Sequence, residues 1–433
     1  MTNPNWNLPL AALPEHCDVL VVGAGPAGSA CAQLLALGSL AVVMVDAQAF
    51  PRDKVCGDGL VPDSHAALRR LGVHDEVMRV AHQAKSARCV APNGGFVDIA
   101  GELAVLPRRE LDALLCRAAL AAGAQMAAPL RFEAPLTDAA GRVVGARLSQ
   151  GTQSRDLRAR WVVLATGALP APLLSAGLCL RRSPSGMALR AHVRHPAMTA
   201  ELRELRFVWH GRLRGGYGWI FPGPNSVFNI GVGLLDSREA EAEAWHAPWR
   251  QRRPNLRRMF DEFLQVDPLA ARLMREGEVL SELKGAPMRC DLTGAAWSRP
   301  GLLVTGEAAG ATYSFTGEGI GKAMETGMAA ADALLAHGAL AGSGKGGSVV
   351  NQAAADAATA LDYQSRLEAL LPRFQTYRQA ASFNRWPGLV NLVIWRAGRS
   401  PKIAAKLGDV LNERRLPGSL LTLRGLRNML TPG

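Results

Sequence analysis

A glycine-rich turn close to the start of this 433-residue chain constrains its fold more than any other feature. An apolar run over 19–22 leads into the pattern Gly-x-Gly-x-x-Gly, in which Gly23 permits a tight turn, Gly25 lets the backbone approach a phosphate and Gly28 lets the next helix pack closely on the strand. The pattern predicts a strand, a turn and a helix whose first amides bind a pyrophosphate. The residues predicted to bind this ligand are Gly23, Gly25, Pro26, Ala27 and Gly28.

An acidic residue stands where the second strand of such a sheet ends. The apolar run over 40–45 leads directly to Asp46, eighteen residues after Gly28. A carboxylate at this place can accept hydrogen bonds from both hydroxyls of an adenosine ribose. Strand, turn, helix and acid together predict a bound dinucleotide, and they disfavour an ordinary strand-turn-helix.

The length and the cysteines limit the class of protein. A chain of this length exceeds one average domain, so we expect two or three domains. The seven cysteines form no Cys-x-x-Cys pair, which argues against a disulfide framework and favours a reducing compartment. Residues 1–16 lack the pattern of a signal peptide, and no apolar run is long enough to span a bilayer. We therefore expect a cytoplasmic protein.

Positive charge is concentrated in the C-terminal segment 373–433. The formal net charge of the chain is +12, and this segment contains eleven Arg or Lys residues against two acidic ones. Apolar and basic residues alternate there as in amphipathic helices, which suit an anionic membrane surface and suit equally well a helical cap packed on the rest of the protein. Both interpretations stay open, and the first implies peripheral binding at the inner face of the membrane. No nucleic-acid-binding module accompanies the charge, so we expect no nucleic-acid partner.

Other segments complete the predicted architecture. Short apolar runs over 160–168 and 301–306 end at a glycine and suit a parallel sheet that is covered on both faces. The periodicity over 108–120 predicts a helix. The region 180–284 mixes alternating strands with a helix predicted from Leu256 to Met274, and this mixture indicates an inserted substrate domain.

Three further motifs lie outside the first turn. A loop over 51–60, Pro-Arg-Asp-Lys-Val-Cys-Gly-Asp-Gly-Leu, follows Asp46 and should face the ligand, because ligands of open α/β sheets bind beyond the carboxyl ends of the strands. The segment 306–310 is Gly-Glu-Ala-Ala-Gly, and the glycine-rich run over 314–321 begins a helix whose free amides suit an anion. The strand over 217–222, Tyr-Gly-Trp-Ile-Phe-Pro, places three aromatic rings on one face.

Together these motifs resemble the geranylgeranyl reductase family of FAD-dependent oxidoreductases, within the group built like the aromatic-ring hydroxylases. The resemblance covers 17–336 and rests on Pro-x-x-x-x-Cys-Gly over 51–57, Tyr-x-Trp-x-Phe-Pro over 217–222 and the segment 306–310. The chain departs from the family at Glu307, where aspartate is usual. Two other departures are Ser314 in place of a proline and Asp58 where glycine is frequent.

The resemblance implies an α/β fold: a Rossmann-type FAD-binding domain, glutathione-reductase-like and of aromatic hydroxylase architecture, with an inserted mixed-sheet substrate domain and a C-terminal helical region. The predicted domains are a discontinuous FAD-binding domain of 1–66, 104–179 and 285–338, a substrate-binding domain of 67–103 and 180–284, a flexible linker of 339–352 and a basic helical region of 353–433. The FAD contacts that it implies, besides the first turn, are Asp46 at the adenosine half, Cys56, Gly57 and Gly59 near the flavin, Arg108 at the diphosphate and ribityl region, Gly306 and Glu307 at the ribityl or diphosphate, Gly317 through its amide, and Gly319 with Ile320 at the pyrimidine end.

Catalysis is assigned to Cys56, Tyr217 and Trp219. The resemblance places Cys56 at the flavin, where its thiol can donate a proton or tune the flavin; the alternative is a small buried hydrophobic residue. Tyr217, Trp219 and Phe221 are predicted to bind substrate by lining an apolar slot, and the alternative is a buried sheet core. Arg52 and Lys54 either anchor an anionic head group or are solvated loop charges.

The predicted function is an FAD-dependent oxidoreductase that reduces carbon-carbon double bonds of an isoprenoid or polyene-like lipid by hydride transfer from reduced flavin. The alternatives are a flavin-dependent monooxygenase or halogenase acting on an aromatic secondary metabolite, and a flavin-binding sensor at the membrane surface. The electron donor is NAD(P)H or a reduced carrier protein. No metal is expected, because the histidines and cysteines lack the spacing of metal ligands; only His192 and His195 lie close together, and their offset on a strand predicts opposite faces.

Overall fold

Two β-sheets and the helices that cover them form the framework of the chain. The structure is a computed structural model, and it describes residues 6, 8–213, 215–235, 255–338, 349–381, 384 and 386–414. In chain order the strands are β1 His16–Val22, β2 Val42–Val45, β3 Gly59–Leu60, β4 His82–Val90, β5 Phe96–Val105, β6 Gln125–Ala127, β7 Arg131–Thr137, β8 Val143–Gln150, β9 Gln153–Leu164, β10 Gly186–Arg194, β11 Leu205–Val208, β12 Gly216–Pro222, β13 Val227–Leu235, β14 Glu278–Val279, β15 Lys284–Met288, β16 Ser298–Arg299 and β17 Leu302–Val304. The α-helices are α1 Pro26–Leu37, α2 Pro62–Arg70, α3 His74–Val80, α4 Arg108–Ala121, α5 Ala171–Ser175, α6 Leu256–Val266, α7 Pro268–Glu276, α8 Ile320–Ala333, α9 Val349–Ala381, α10 Pro387–Arg399 and α11 Pro401–Leu411.

The first sheet has the strand order β16-β17-β9-β1-β2-β6, and its strands from β17 to β6 run parallel. In β1, Val19 and Val21 face one apolar core while Leu20 and Val22 face the other. Burial on both faces explains why the strand is continuously apolar, as the sequence predicts. The hairpin β7-β8 extends the long β9 at its other end.

Helix α1 lies very close to its neighbours in this sheet. A Cβ placed on Gly28 would lie 1.8 Å from the carbonyl oxygen of Gly23, and a Cβ on Gly327 of α8 would lie 2.2 Å from that of Ala27. Any larger residue at either position would therefore displace α1. Gly28 therefore lets α1 pack on the glycine turn, and Gly327 lets α8 pack on α1.

The second sheet has the order β14-β10-β13-β12-β11-β4-β5-β3, with β15 paired to β10. It is a mixed sheet, because β11 runs parallel to β4 whereas β10, β13, β12 and β11 are antiparallel in succession. Strands β3 and β15 belong to it, although they lie in the segments 1–66 and 285–338 that the sequence analysis placed in the FAD-binding domain. A two-residue strand such as β3 has no periodicity to reveal its partner.

The helix predicted from Leu256 to Met274 is two helices in the structure, so this prediction is wrong in one respect. The helical conformation is interrupted between α6 and α7 at Asp267, which has extended backbone angles and precedes Pro268. A residue before proline is disfavoured in the helical conformation. The Asp267 side chain also caps α7 by accepting a hydrogen bond of 2.9 Å from the amide of Ala270.

The C-terminal helices contact both sheets. In α9 the Tyr363 hydroxyl donates a 2.7 Å hydrogen bond to the carbonyl of Val304 in the first sheet. Val390 and Ile394 of α10 form an apolar cluster with β5 of the second sheet. Helix α9 begins within the predicted linker 339–352, and 339–348 and 415–433 lie outside the described residues. Among the described residues, every helix is too short or too polar to cross a membrane.

Candidate active site

The glycine turn at the start of α1 forms the first part of the site. Gly23 has a φ of 104°, and a Cβ there would lie 2.3 Å from the carbonyl oxygen of Ala165, so the turn requires glycine. A Cβ on Gly25 would lie 3.5 Å from Nη2 of Arg52 and 3.6 Å from Nη2 of Arg108. Two guanidinium groups therefore flank the amides at the start of α1. This combination of positive charge and free amides suits a diphosphate.

Asp46 lies beside this turn, at the end of β2, and is buried. Its carboxylate accepts hydrogen bonds of 3.0 Å from the amides of Ala24 and Gln48, and it forms an ion pair of 3.2 Å with Arg52. The carboxylate is thus held at the position where the sequence analysis expects a ribose.

Arg52 is not a solvated loop charge, so that alternative is wrong. Its side chain is only 11% exposed because it bridges Asp46 and Asp112, with a distance of 3.0 Å to Asp112. Asp112 also accepts hydrogen bonds of 2.6 and 2.8 Å from Arg108. The fully buried Asp112 therefore orients both arginines of the turn.

Arg108 also reaches Cys56, the predicted catalytic residue. Burial raises the pKa of the Cys56 thiol, and the Arg108 guanidinium opposes this rise by its charge and a hydrogen bond. The Asp58 carboxylate raises the pKa, while a hydrogen bond from the Asp58 backbone lowers it. The net effect is an increase, so the thiol is protonated at neutral pH. Arg108 connects the phosphate turn to this thiol.

The aromatic wall on β12 faces the Cys56 loop. Its side chains Tyr217, Trp219 and Phe221 are 5–7% exposed, and neighbouring ring centroids lie 6.2 Å apart. A Cβ on Gly57 would lie 3.3 Å from the Phe221 ring and 3.8 Å from Nε1 of Trp219, and one on Gly59 would lie 3.5 Å from Phe221. The loop approaches the wall so closely because it has glycines at these two positions.

The segment 306–310 packs against α1. Gly306 has a φ of 64°, and a Cβ there would lie 2.7 Å from the Cβ of Ala27. A Cβ placed on Gly167, in the turn after β9, would lie 3.9 Å from Oε2 of Glu307. Two separate glycine turns, after β1 and after β17, thus meet at the same edge of the first sheet.

The turn before α8 joins this edge to the aromatic wall. The Tyr217 hydroxyl donates a hydrogen bond to the carbonyl of Thr316, and a Cβ on Gly317 would lie 3.4 Å from the same hydroxyl. A Cβ on Gly319, the residue before α8, would lie 2.7 Å from the Thr312 hydroxyl. Ile320, the first residue of α8, belongs to the apolar cluster against which Cys56 packs. The structure therefore brings all the predicted site residues to one region between the two sheets.

A buried polar network behind the Cys56 loop was missed by the sequence analysis. Asn229 on β13 donates hydrogen bonds of 2.7 Å to the Asp58 carboxylate and 2.8 Å to the Cys56 carbonyl, and accepts one of 2.8 Å from Trp219. His192 on β10 lies 2.7 Å from the same carboxylate. The sequence analysis named Cys56, Asp58 and Trp219 but missed His192 and Asn229 as their partners, because these two residues lie more than 130 residues from Asp58 along the chain.

A second network missed by the sequence analysis lies at the start of α8. Lys322 is 1% exposed and forms ion pairs of 3.4 Å with Asp63, 3.0 Å with Glu325 and 3.1 Å with Glu413. Burial raises the pKa of Asp63 to about 6 and that of Glu318 to about 8. Burial thus favours the neutral form of the Asp63 and Glu318 carboxyl groups beside Lys322.

One group with the chemistry of metal ligands also forms, although its sequence spacing gave no such signal. His65, His74 and Glu102 each place one ligand atom within 4.8 Å of the others. Contacts within the protein account for them, because the two imidazoles lie 3.1 Å apart and Glu102 pairs with Arg69 at 2.6 Å. This group lies apart from the residues assigned to the cofactor.

The residues at the sheet edge fit a flavin dinucleotide. Besides the cradle at Gly25, the hydroxyls of Thr166 and Ser314 are buried and have no hydrogen-bond partner among the described residues. Thr166 follows β9 and Ser314 precedes the turn of α8, so both lie where the predicted cofactor passes. Buried hydroxyls are normally satisfied by a partner, and the polar groups of such a ligand would satisfy these two.

Comparisons with known proteins agree with this geometry. The model of the FAD binding domain family matches residues 16–345. A protein of Mycolicibacterium smegmatis named menaquinone reductase is 33% identical over 338 residues, which are 75% of this chain and 77% of that protein. A digeranylgeranylglycerophospholipid reductase of Methanopyrus kandleri is 27% identical over 73% of this chain and 80% of its own length.

A solved structure confirms the fold. The geranylgeranyl bacteriochlorophyll reductase-like protein of Thermoplasma acidophilum superimposes with a TM-score of 0.70 over 94% of this chain and 99% of its own, at 21% identity. This likeness confirms the predicted α/β architecture, with its FAD-binding part, mixed sheet and C-terminal helices. From these findings together, the chain belongs to the FAD binding domain family and is an FAD-dependent oxidoreductase of the geranylgeranyl reductase type.

Proposed function

We propose that the chain reduces carbon-carbon double bonds in an isoprenoid or polyene-like lipid. The observation that carries this proposal is the aromatic wall of Tyr217, Trp219 and Phe221 directly opposite the Cys56 loop. An apolar wall beside a redox cofactor suits an apolar chain. The names of the two curated relatives support the class, because menaquinone and digeranylgeranylglycerophospholipid both contain isoprenoid chains.

Each residue of the site has a role in this proposal. When bound, reduced FAD supplies a hydride from its N5 atom to one carbon of the double bond. Arg52, Arg108 and the first amides of α1 bind the diphosphate, and Asp46 binds the ribose. Cys56 holds a proton for the other carbon. The wall orients the alkene and excludes water, which keeps the proton donor next to the reacting carbon.

We assign the supply of electrons to NAD(P)H or to a reduced carrier protein. The turn at Gly23 has the only complete dinucleotide fingerprint in the sequence, and FAD occupies it in this proposal. The donor therefore binds transiently, either as a nicotinamide nucleotide at the exposed side of the flavin or as a protein that docks on the surface.

We also propose a cytoplasmic location with peripheral binding at an anionic membrane, through the basic helices. Trp395 of α10 is 47% exposed, and Trp386 just before α10 is 66% exposed. Arg399 lies 4.7 Å from the Trp395 ring, and Lys402 follows on α11. Exposed tryptophans beside cations suit the interface of an anionic bilayer. Such a location gives the site access to substrates dissolved in the lipid.

The experiment that tests the function is anaerobic reoxidation of the reduced holoenzyme. We expect a prenyl lipid to restore the oxidised flavin spectrum and to gain two hydrogen atoms for each flavin oxidised, as followed by mass spectrometry. Cys56→Ser should slow this step at least tenfold, whereas Cys17→Ala, which lies on β1 away from the wall, should leave it unchanged. Reoxidation only by oxygen with a hydroxylated aromatic product would establish the monooxygenase alternative instead.

A further inference from the structure

Asp58 adopts a backbone conformation that an aspartate rarely takes. Its φ is 63°, in the left-handed region where glycine is favoured, and the residue is 1% exposed. This region is unfavourable for residues that have a Cβ. Glycine would fit this backbone conformation at least as well as aspartate. The Asp58 carboxylate therefore has a role other than shaping the loop.

Three hydrogen bonds from three different elements hold this carboxylate. The backbone amide of Arg108 at the start of α4 donates one of 3.2 Å. Asn229 of β13 donates one of 2.7 Å, and Nε2 of His192 on β10 lies 2.7 Å away. A carboxylate that is fully buried and bound on several sides is fixed in position.

The carboxylate is fixed in the same loop as Cys56, two residues further along the chain. Asn229 joins the two residues, because its side-chain amide binds both the Asp58 carboxylate at 2.7 Å and the Cys56 carbonyl at 2.8 Å. The thiol itself accepts a hydrogen bond from the Asp58 backbone and one from the Arg108 guanidinium. The positive charge of Arg108 stabilises the thiolate. The negative charge of the Asp58 carboxylate destabilises the thiolate and thereby favours the neutral thiol.

We propose that Asp58, held by His192 and Asn229, is a positioning residue that offsets Arg108 and acts together with burial to keep Cys56 as a neutral thiol ready to give its proton to the substrate. This inference rests on the proposed function. In the step it serves, the S–H bond of Cys56 breaks and a C–H bond forms as the neighbouring carbon accepts the hydride. The thiolate then regains a proton from solvent, and the 15% exposed side chain of His192 lies on the solvent side of the network.

Other charged groups surround this pair and act together with it. Asp53 forms an ion pair of 2.6 Å with the buried Arg190. Burial raises the pKa of Asp53, but Arg190, His192 and Lys284 lower it, and the net effect is a decrease. The charged groups that face the network from the neighbouring elements are Arg108 and Glu110 of α4, Arg190 of β10, Asp53 of the loop and Lys284 of β15. All of them stay in place when only Asp58 is replaced.

The test is the pH at which Cys56 loses its proton in the purified holoenzyme. The infrared S–H absorption of Cys56, assigned by difference from Cys56→Ser, reports this directly and needs no access of a reagent to the site. In Asp58→Gly, which preserves the loop conformation, we expect the absorption to disappear at a pH lower by about half a unit or more, a change of about threefold in the ionisation constant. Asp58→Asn should shift it in the same direction.

One control separates loss of this carboxylate from a general effect of substitution. Asp75→Asn removes an exposed carboxylate outside the network and should leave the profile unchanged. An unchanged profile in both Asp58 variants, with normal flavin content, overturns the inference. The measurement needs no substrate. If the profile shifts in an enzyme that reduces no lipid, the proposed function is refuted but the effect of Asp58 on Cys56 is not.

Discussion

Lys322 and Glu413 form an ion pair of 3.1 Å although they are 91 residues apart in the chain. Lys322 lies in the first turn of α8, next to the glycine turn assigned to the flavin, and Glu413 follows α11. The Tyr313 hydroxyl donates a further hydrogen bond of 3.2 Å to the Glu413 carboxylate. The end of the helical region is thus bound to the base of the cofactor site.

Glu413→Ala should therefore destabilise the protein. Removing one partner of a buried ion pair leaves Lys322 with fewer counter-charges, and we expect the free energy of unfolding to fall by about 1–2 kcal/mol, less than for an isolated pair because Asp63 and Glu325 remain. Urea denaturation followed by circular dichroism measures this change. Glu368→Ala, an exposed position on α9, is the control, and equal effects of the two substitutions would contradict the prediction.

The stability should also depend on pH through Glu318. Its pKa is raised by burial from 4.5 to about 8 in the folded protein, so the unfolded chain ionises first as the pH increases. The free energy of unfolding contributed by this group is highest at low pH and decreases between about pH 4.5 and 8. Glu318→Gln removes this contribution and should make the free energy of unfolding at pH 8 higher than that of the wild type by about 1 kcal/mol or more. Identical pH profiles of the two proteins in urea titrations would contradict this assignment.

Arg52→Ala should weaken FAD binding. Arg52 flanks the amides of the phosphate turn and neutralises Asp46, so its loss removes a cation from the diphosphate and leaves a free carboxylate nearby. We expect the affinity of the apoprotein for FAD to decrease about tenfold, as measured by quenching of flavin fluorescence. Arg69→Ala, at an exposed ion pair, should bind FAD like the wild type. Normal affinity of the Arg52 variant would remove Arg52 from the diphosphate site.

Trp395→Ala should reduce binding to anionic vesicles. The ring is exposed beside the cations Arg396 and Arg399 of α10, where it can insert into the lipid interface. Sedimentation with vesicles that contain phosphatidylglycerol should fall by about half or more, and high salt should lower it further. Leu361→Ala removes an exposed apolar side chain from α9 and is the control. If neither the substitution nor salt changes sedimentation, the helices serve only as a cap.

The sequence predicts the parts of the site that depend on local pattern. Gly23, Gly25 and Asp46 follow strands whose apolar runs are continuous, so both their elements and their common sheet edge could be predicted. The rings of β12 could likewise be placed on one face by their alternation. In these segments the residue types and their spacing are themselves the signal.

The residues that the sequence could not reveal are joined only by the tertiary fold. His192 and Asn229 meet Asp58 because β10 and β13 pair with each other, and nothing in their neighbouring residues indicates a buried carboxylate as partner. Arg52 was ambiguous for the same reason, since its role depends on Asp112 in a helix 60 residues away. Charged side chains are exposed by default in a sequence-based interpretation, so buried ion networks are found only in the folded structure.

The attachment of the C-terminal helices has a mechanical consequence. Tyr363 of α9 is bonded to the first sheet, while α10 packs on β5 of the second. Two successive helices, α9 and α10, are therefore attached to different sheets. Moving the two sheets apart would require one of these attachments to break, so the spacing between the sheets depends on residues that never contact the reacting atoms.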